Sequence, residues 1–138
     1  MDNPDITKYN RRRDFCIFIW NNYSKPLTLK DTGKAIHTSE RTIERCILDH
    51  FQAGFKEVLN AVRFHKTIKH HAQHGGNIAH SALENGFSDR QTFLRWWNRW
   101  MNIPLNHQKL DNETITRGLR KDYKNLIKRI QSFIPEKM

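Results

Sequence analysis

The chain has two cysteines, Cys16 and Cys46, in 138 residues. That is too few for a disulfide framework, and no secretory leader opens the sequence, so both are expected as buried free thiols rather than a bridge or redox switch. The longest apolar run, Phe15 to Trp20, falls far short of the ~20 residues that span a bilayer. Membrane insertion is excluded, and a cytoplasmic protein is expected. Acidic residues are scarce, 14 against 24 Lys and Arg, and the resulting charge of +10 calls for a polyanionic partner, nucleic acid or an anionic surface. Glycines and prolines fall between periodic segments and strand-like alternation is nearly absent, which makes the class all-α. No Ser/His/Asp set, catalytic carboxylate pair or phosphate-cradling glycine loop is present, so neither an enzyme nor a cofactor is expected.

The most organised stretch is Glu84 to Trp100, E-N-G-F-S-D-R-Q-T-F-L-R-W-W-N-R-W. Gly86 reads as a left-handed turn residue between two helices. Ser88 reads as the N-cap of the second helix, with Gln91 completing a capping box. Phe93, Trp96, Trp97 and Trp100 recur at i, i+3, i+4 and i+7 and define a buried face. Gln91, Arg95, Asn98 and Arg99 lie opposite, an outward polar face of the kind a DNA major groove accepts. Alone, this is equally an amphipathic helix with a solvated basic side.

A similar plan appears earlier. After a polar N-terminal tail, a first helix is predicted from about Arg12 to Tyr23, its core side marked by Phe15, Phe18, Ile19 and Asn22, and Ser24-Lys25-Pro26 breaks it. Thr28 with Asp31 forms an [ST]-x-x-[DE] capping box for a short helix from Leu29 to Ile36. His37-Thr38 makes a turn and Ser39 caps a third helix, which buries Ile43 and Ile47 with His50 and Cys46 beside them and projects Arg41 and Arg45 outward, Glu44 standing between the faces. A long helix follows from Phe55 to about His71, spanning roughly 27 Å. Gly75-Gly76 ends it, and Asn77 caps the short helix that leads into Gly86.

Residues from about Phe15 to Lys109 resemble the DNA-binding domain of the AraC/XylS family of bacterial transcription regulators. The resemblance rests on Leu27-Thr28-Leu29, on Ser39 with Ile43 and Arg45, on Phe55-Lys56-Glu57-Val58-Leu59 with Arg63, and above all on Gly86-Phe87-Ser88-Asp89 with Phe93 and Arg95. It implies two helix-turn-helix units joined by a long linker helix, whose recognition helices enter successive major grooves. The base-reading candidates it implies are Arg41, Glu44 and Arg45 in the first unit and Arg90, Gln91, Thr92 and Arg95 in the second. Arg suits guanine, Gln adenine, and Glu the amino group of cytosine. The chain departs from the family at Thr32-Gly33, where Gly33 should weaken the helix, and at His37, which replaces a turn glycine. Thr67, His71 and Ser81 stand at apolar positions, Pro104-Leu105 is inverted, and Gln108 replaces an aromatic.

His65, His70, His71, His74 and His80 cluster in sequence without a cysteine or carboxylate at ligand spacing, so polar helix ends near phosphate are expected ahead of a zinc site. The tryptophans could stack single-stranded bases, but their helical spacing favours core. Arg11-Arg12-Arg13 is either a solvated helix start or a phosphate contact. Beyond the resemblance, Asp111 or Asn112 caps a single helix predicted to run to Ile134. Leu119, Tyr123, Leu126, Ile130 and Phe133 give it an apolar seam, fit for docking on its own domain or for self-association.

The expected organisation is a tail (1–11), a first unit (12–54), a linker helix (55–74), a second unit (75–109) and a basic C-terminal helix (110–138). The expected function is that of a stand-alone, nucleoid-associated regulator of AraC type without an effector-binding domain. It would bind double-stranded DNA and activate through contact with RNA polymerase. The alternative is a basic helical adaptor that contacts proteins and binds DNA only through sequence-blind electrostatics.

Overall fold

The computed structural model describes residues 4–105 and 110–136, and Gln108, one of the departures noted above, lies outside them. The described residues form helices α1 (Pro4–Asn22), α2 (Leu29–Ala35), α3 (Glu40–Phe51), α4 (Phe55–His74), α5 (Ile78–Glu84), α6 (Arg90–Trp100), α7 (Asn112–Gly118) and α8 (Lys121–Gln131). The fold class is all-α; among the described residues the one extended pairing is an isolated bridge between Met101 and Leu119. No described helix is long and apolar enough to cross a membrane. Helix α1 starts at Pro4 rather than near Arg12, since proline suits a first helical turn, where its missing N–H costs nothing.

Helix α4 joins the two halves of the chain. Its 20 residues correspond to about 30 Å, and Val58, Ala61, Val62 and Phe64 are completely buried along it. Phe64 meets the rings of Phe93, Trp97, Trp100 and Tyr123 at 5.3–6.0 Å. The polar residues at apolar positions of the core each make at least one hydrogen bond, although the buried Nδ1 of His71 has no partner among the described residues. Thr67 donates to the Arg63 carbonyl at 2.7 Å, His70 Nδ1 pairs with Ser81 Oγ at 3.2 Å, and His71 Nε2 pairs with the Leu110 carbonyl at 3.2 Å. A buried polar group that keeps a hydrogen bond costs the core far less than an orphan would.

Arg63 is buried and closes the end of α1. Its guanidinium donates to the Tyr23 carbonyl at 2.7 Å, the Lys25 carbonyl at 2.8 Å and Asn60 Oδ1 at 3.3 Å. Those carbonyls have no helical N–H to accept from, so a charged donor satisfies them well. Against this junction packs Gly86, from the turn between α5 and α6. A Cβ at Gly86 would stand 2.5 Å from the Tyr23 oxygen and 2.8 Å from Arg63 Nε, and the residue adopts φ +102°. The second unit's turn therefore sits directly on the first unit's first helix, which fixes one unit against the other.

The tail is two helices, not one. The predicted continuous helix breaks at Gly118-Leu119-Arg120, because that backbone pairs with the end of α6: Arg120 N–H donates to the Trp100 carbonyl at 2.7 Å and Asn102 N–H to the Gly118 carbonyl at 2.8 Å. A Cβ at Gly118 would lie 2.9 Å from the Met101 methyl. Asp111 caps α7 through the Thr114 N–H at 2.7 Å. The apolar seam is spent within the chain: Tyr123, Leu126, Ile127, Ile130 and Phe133 are buried. Tyr123 packs on Trp100 at 5.1 Å, while Phe133 meets Tyr9 at 5.4 Å and His50 at 5.3 Å. The C-terminal segment thus straps the two units together.

Candidate nucleic-acid interface

Two copies of one local design present α3 and α6. In the first unit the Thr38 N–H donates to the Gly33 carbonyl at 2.9 Å, and in the second the Phe87 N–H donates to the Ala82 carbonyl at 3.1 Å. Each turn passes through a left-handed residue, His37 at φ 55° and Gly86 at φ 102°. His37 takes the place of the usual turn glycine and bears the strain of that conformation. Gly33, expected as a weak point of α2, admits a close approach instead: a Cβ there would stand 2.6 Å from the Thr38 carbonyl oxygen.

The capping box of α2 forms as predicted, with Asp31 N–H donating to Thr28 Oγ1 at 3.0 Å and Thr28 N–H to Asp31 Oδ2 at 3.2 Å. Ser39 caps α3, accepting from Thr42 N–H at 3.2 Å. In the second unit the expectation of Ser88 is corrected. The cap is Asp89, which accepts from Thr92 N–H at 2.7 Å. The turn after Gly86 is one residue longer than the turn after His37, so the serine that matches Ser39 falls outside the helix. Gln91 is exposed and lies one position short of the one that bonds the cap. The Thr92 N–H and hydroxyl hold the Asp89 carboxyl below its ordinary pKa, the Arg95 charge adding a smaller effect.

Counting from the two caps puts both helices in one register. Ile43 and Phe93, and Ile47 and Trp97, are the matched buried positions. On the outer side Arg41 matches Gln91, Glu44 matches Leu94, Arg45 matches Arg95, and Leu48 matches Asn98; all eight are exposed. Arg90, at the first helical position, is exposed as well. Thr92 is half-buried, its N–H given to Asp89 and its hydroxyl 3.5 Å from that of Ser88. Arg99 leaves the outward face it was assigned: it pairs with Glu57 of α4 at 2.6 Å and lies over the Trp96 ring. Leu94, which belongs to neither of the two faces predicted for α6, stands among the polar residues at 38% exposure. Its signal was the register from the cap, hidden by the misplaced N-terminus.

Residues 33–107 match the helix-turn-helix domain family of AraC type, more than half of the chain. The chain belongs to that family. It is accordingly a DNA-binding transcription regulator of the AraC type. No curated protein and no solved structure matches it. The family match takes in α3 to α6, the linker helix included, and stops short of α7 and α8.

The histidines do not gather into one site. His65 lies against Trp20 with ring centroids 5.4 Å apart, and burial, then Lys66 and Lys69, push its pKa down to about 4. A carboxylate does join two others: Glu84 reaches His80 at 3.2 Å and His70 at 3.8 Å. Among the described residues no three His, Cys, Asp or Glu side chains converge on a metal position. Trp20, Trp97 and Trp100 are buried and Trp96 stacks on Trp100 at 4.6 Å, so the aromatic set is core. Cys16 and Cys46 are free thiols, and burial raises the pKa of both.

Proposed function

We propose that this regulator reads double-stranded DNA sequence-specifically by inserting α3 and α6 into adjacent major grooves on one face of the duplex. Arg41, Glu44 and Arg45 read one segment; Arg90, Gln91, Thr92 and Arg95 serve the other, with Gln91 and Arg95 reaching bases and Arg90 and Thr92 nearer the backbone at the helix start. The observation that carries this reading is the matched register of the two outer faces from equivalent caps, each led by an exposed Arg or Gln. The span of α4, about 30 Å, comes close to one helical turn of B-DNA. The charge of +10 supplies attraction to phosphate without sequence choice. Bound to its site, the protein activates transcription by contacting RNA polymerase.

The test is selection of preferred sites from a random duplex pool. The expected product is a bipartite site whose two parts differ, since the two reading faces differ. Binding that is salt-sensitive and indifferent to sequence would leave only a basic adaptor. Transcription from a promoter carrying the selected site should rise with protein concentration; a fall would assign repression.

A further inference from the structure

Leu94 has a counterpart of different chemistry. Five positions beyond its cap, α3 places Glu44 on the outer face, and at the same register α6 places Leu94. It stands one turn along from Gln91 and Arg90 and next to Arg95, so it belongs to the surface that faces a groove rather than to the core. The buried side of α6 is filled without it, by Phe93, Trp97 and Trp100. A lone exposed leucine means little on most surfaces. On the outer face of a recognition helix its choice of partner is narrow, because the C5-methyl of thymine is the apolar group on a major-groove base edge. Leu48, the exposed leucine of α3, lies four residues further from its cap, at the register of Asn98.

Resting on the reading of α6 as a groove-binding helix, we propose that Leu94 is a specificity-determining residue that reads a thymine methyl. Gln91, suited to adenine, lies on the same side one turn earlier, so the α6 segment is A·T-containing, with the contacted thymine within a step or two of the adenine. The α3 segment has Glu44 at that register and prefers cytosine there. The two parts of the site therefore differ in composition as well as in sequence.

Replacing thymidine by deoxyuridine in the selected duplex removes the methyl and leaves base pairing intact. With the full chain, one thymine in the α6 segment should lose about fourfold in affinity on this change, the value of one buried methyl group. Leu94→Ala should bind the thymine duplex more weakly by a similar factor and no longer distinguish thymine from uracil. Leu94→Met, still apolar, should keep the distinction. The inference is overturned if the α6 segment holds no thymine, if the wild type ignores every uracil exchange there, or if Leu94→Ala retains the preference. Arg95→Ala separates this from the broader reading: a loss of sequence choice in Arg95→Ala together with indifference to uracil sinks the leucine contact alone. No selected site at all sinks both.

Discussion

Single residues set the turns of this protein, and their chemistry decides how far they could be read in advance. The Thr28–Asp31 capping box was legible because it is a local pair with one good geometry. The cap of α6 was not, because Ser88 and Asp89 are both good caps and only the length of the turn after Gly86 chooses between them. Gly86 itself was legible as a left-handed residue, but its packing on Tyr23 and Arg63 is a contact across the chain that no local pattern carries. Gly86→Ala should therefore cost roughly 3–5 kcal/mol, strain and overlap together, measured by chemical denaturation; a loss below 1 kcal/mol would mean that the junction yields easily. His65 makes a second test. It is neutral when folded, with its pKa lowered to about 4 by burial, whereas the unfolded chain binds its proton near the ordinary 6.5. Its contribution is thus full above about pH 6.5 and is lost as the pH falls toward 4, up to about 3 kcal/mol in all. His50, also lowered by burial, adds to the same window. His65→Phe should flatten the dependence of the denaturation midpoint on pH between 7 and 5, and an unchanged slope would place the titration elsewhere.

At the scale of elements, the amphipathic helices were readable from periodicity and their ends less so. Of the seam Leu119, Tyr123, Leu126, Ile130 and Phe133, Leu119 is half-buried and the last four mark a buried face. What it packs on, and the break at Leu119-Arg120, depend on backbone pairing with Trp100 and Asn102, which lies outside any local pattern. Helix α8 packs on α4, its Tyr123 meets Trp100 and Phe133 just beyond its end meets Tyr9, so loss of this segment should loosen the mutual placement of the two units. Ile130→Ala, at a completely buried position, should lower stability by about 2–5 kcal/mol. The midpoint should not vary with protein concentration, because the face is covered by the protein's own core. A concentration-dependent midpoint would return the seam to a role in self-association.

The whole molecule is two similar helix pairs held in fixed relation by α4, by the Gly86–Arg63 junction and by the C-terminal strap. On the proposed reading the rigidity matters, because two reading faces bind as one unit only if neither can swing away. The family was legible from Gly86-Phe87-Ser88-Asp89 with Phe93 and Arg95, since that block marks a turn and a core residue together. The pairing of Arg99 with Glu57 and the outward place of Leu94 required the folded register. The central claim is that one chain reads two successive groove segments through α3 and α6. The most direct measurement is base-by-base interference on the selected duplex with the wild type, Arg45→Ala and Arg95→Ala. The account predicts two protected segments about 10 bp apart. Each substitution should cost about 1–3 kcal/mol and erase base preference in one segment while sparing the other. A single protected segment, or two substitutions that leave site and affinity unchanged, would contradict it.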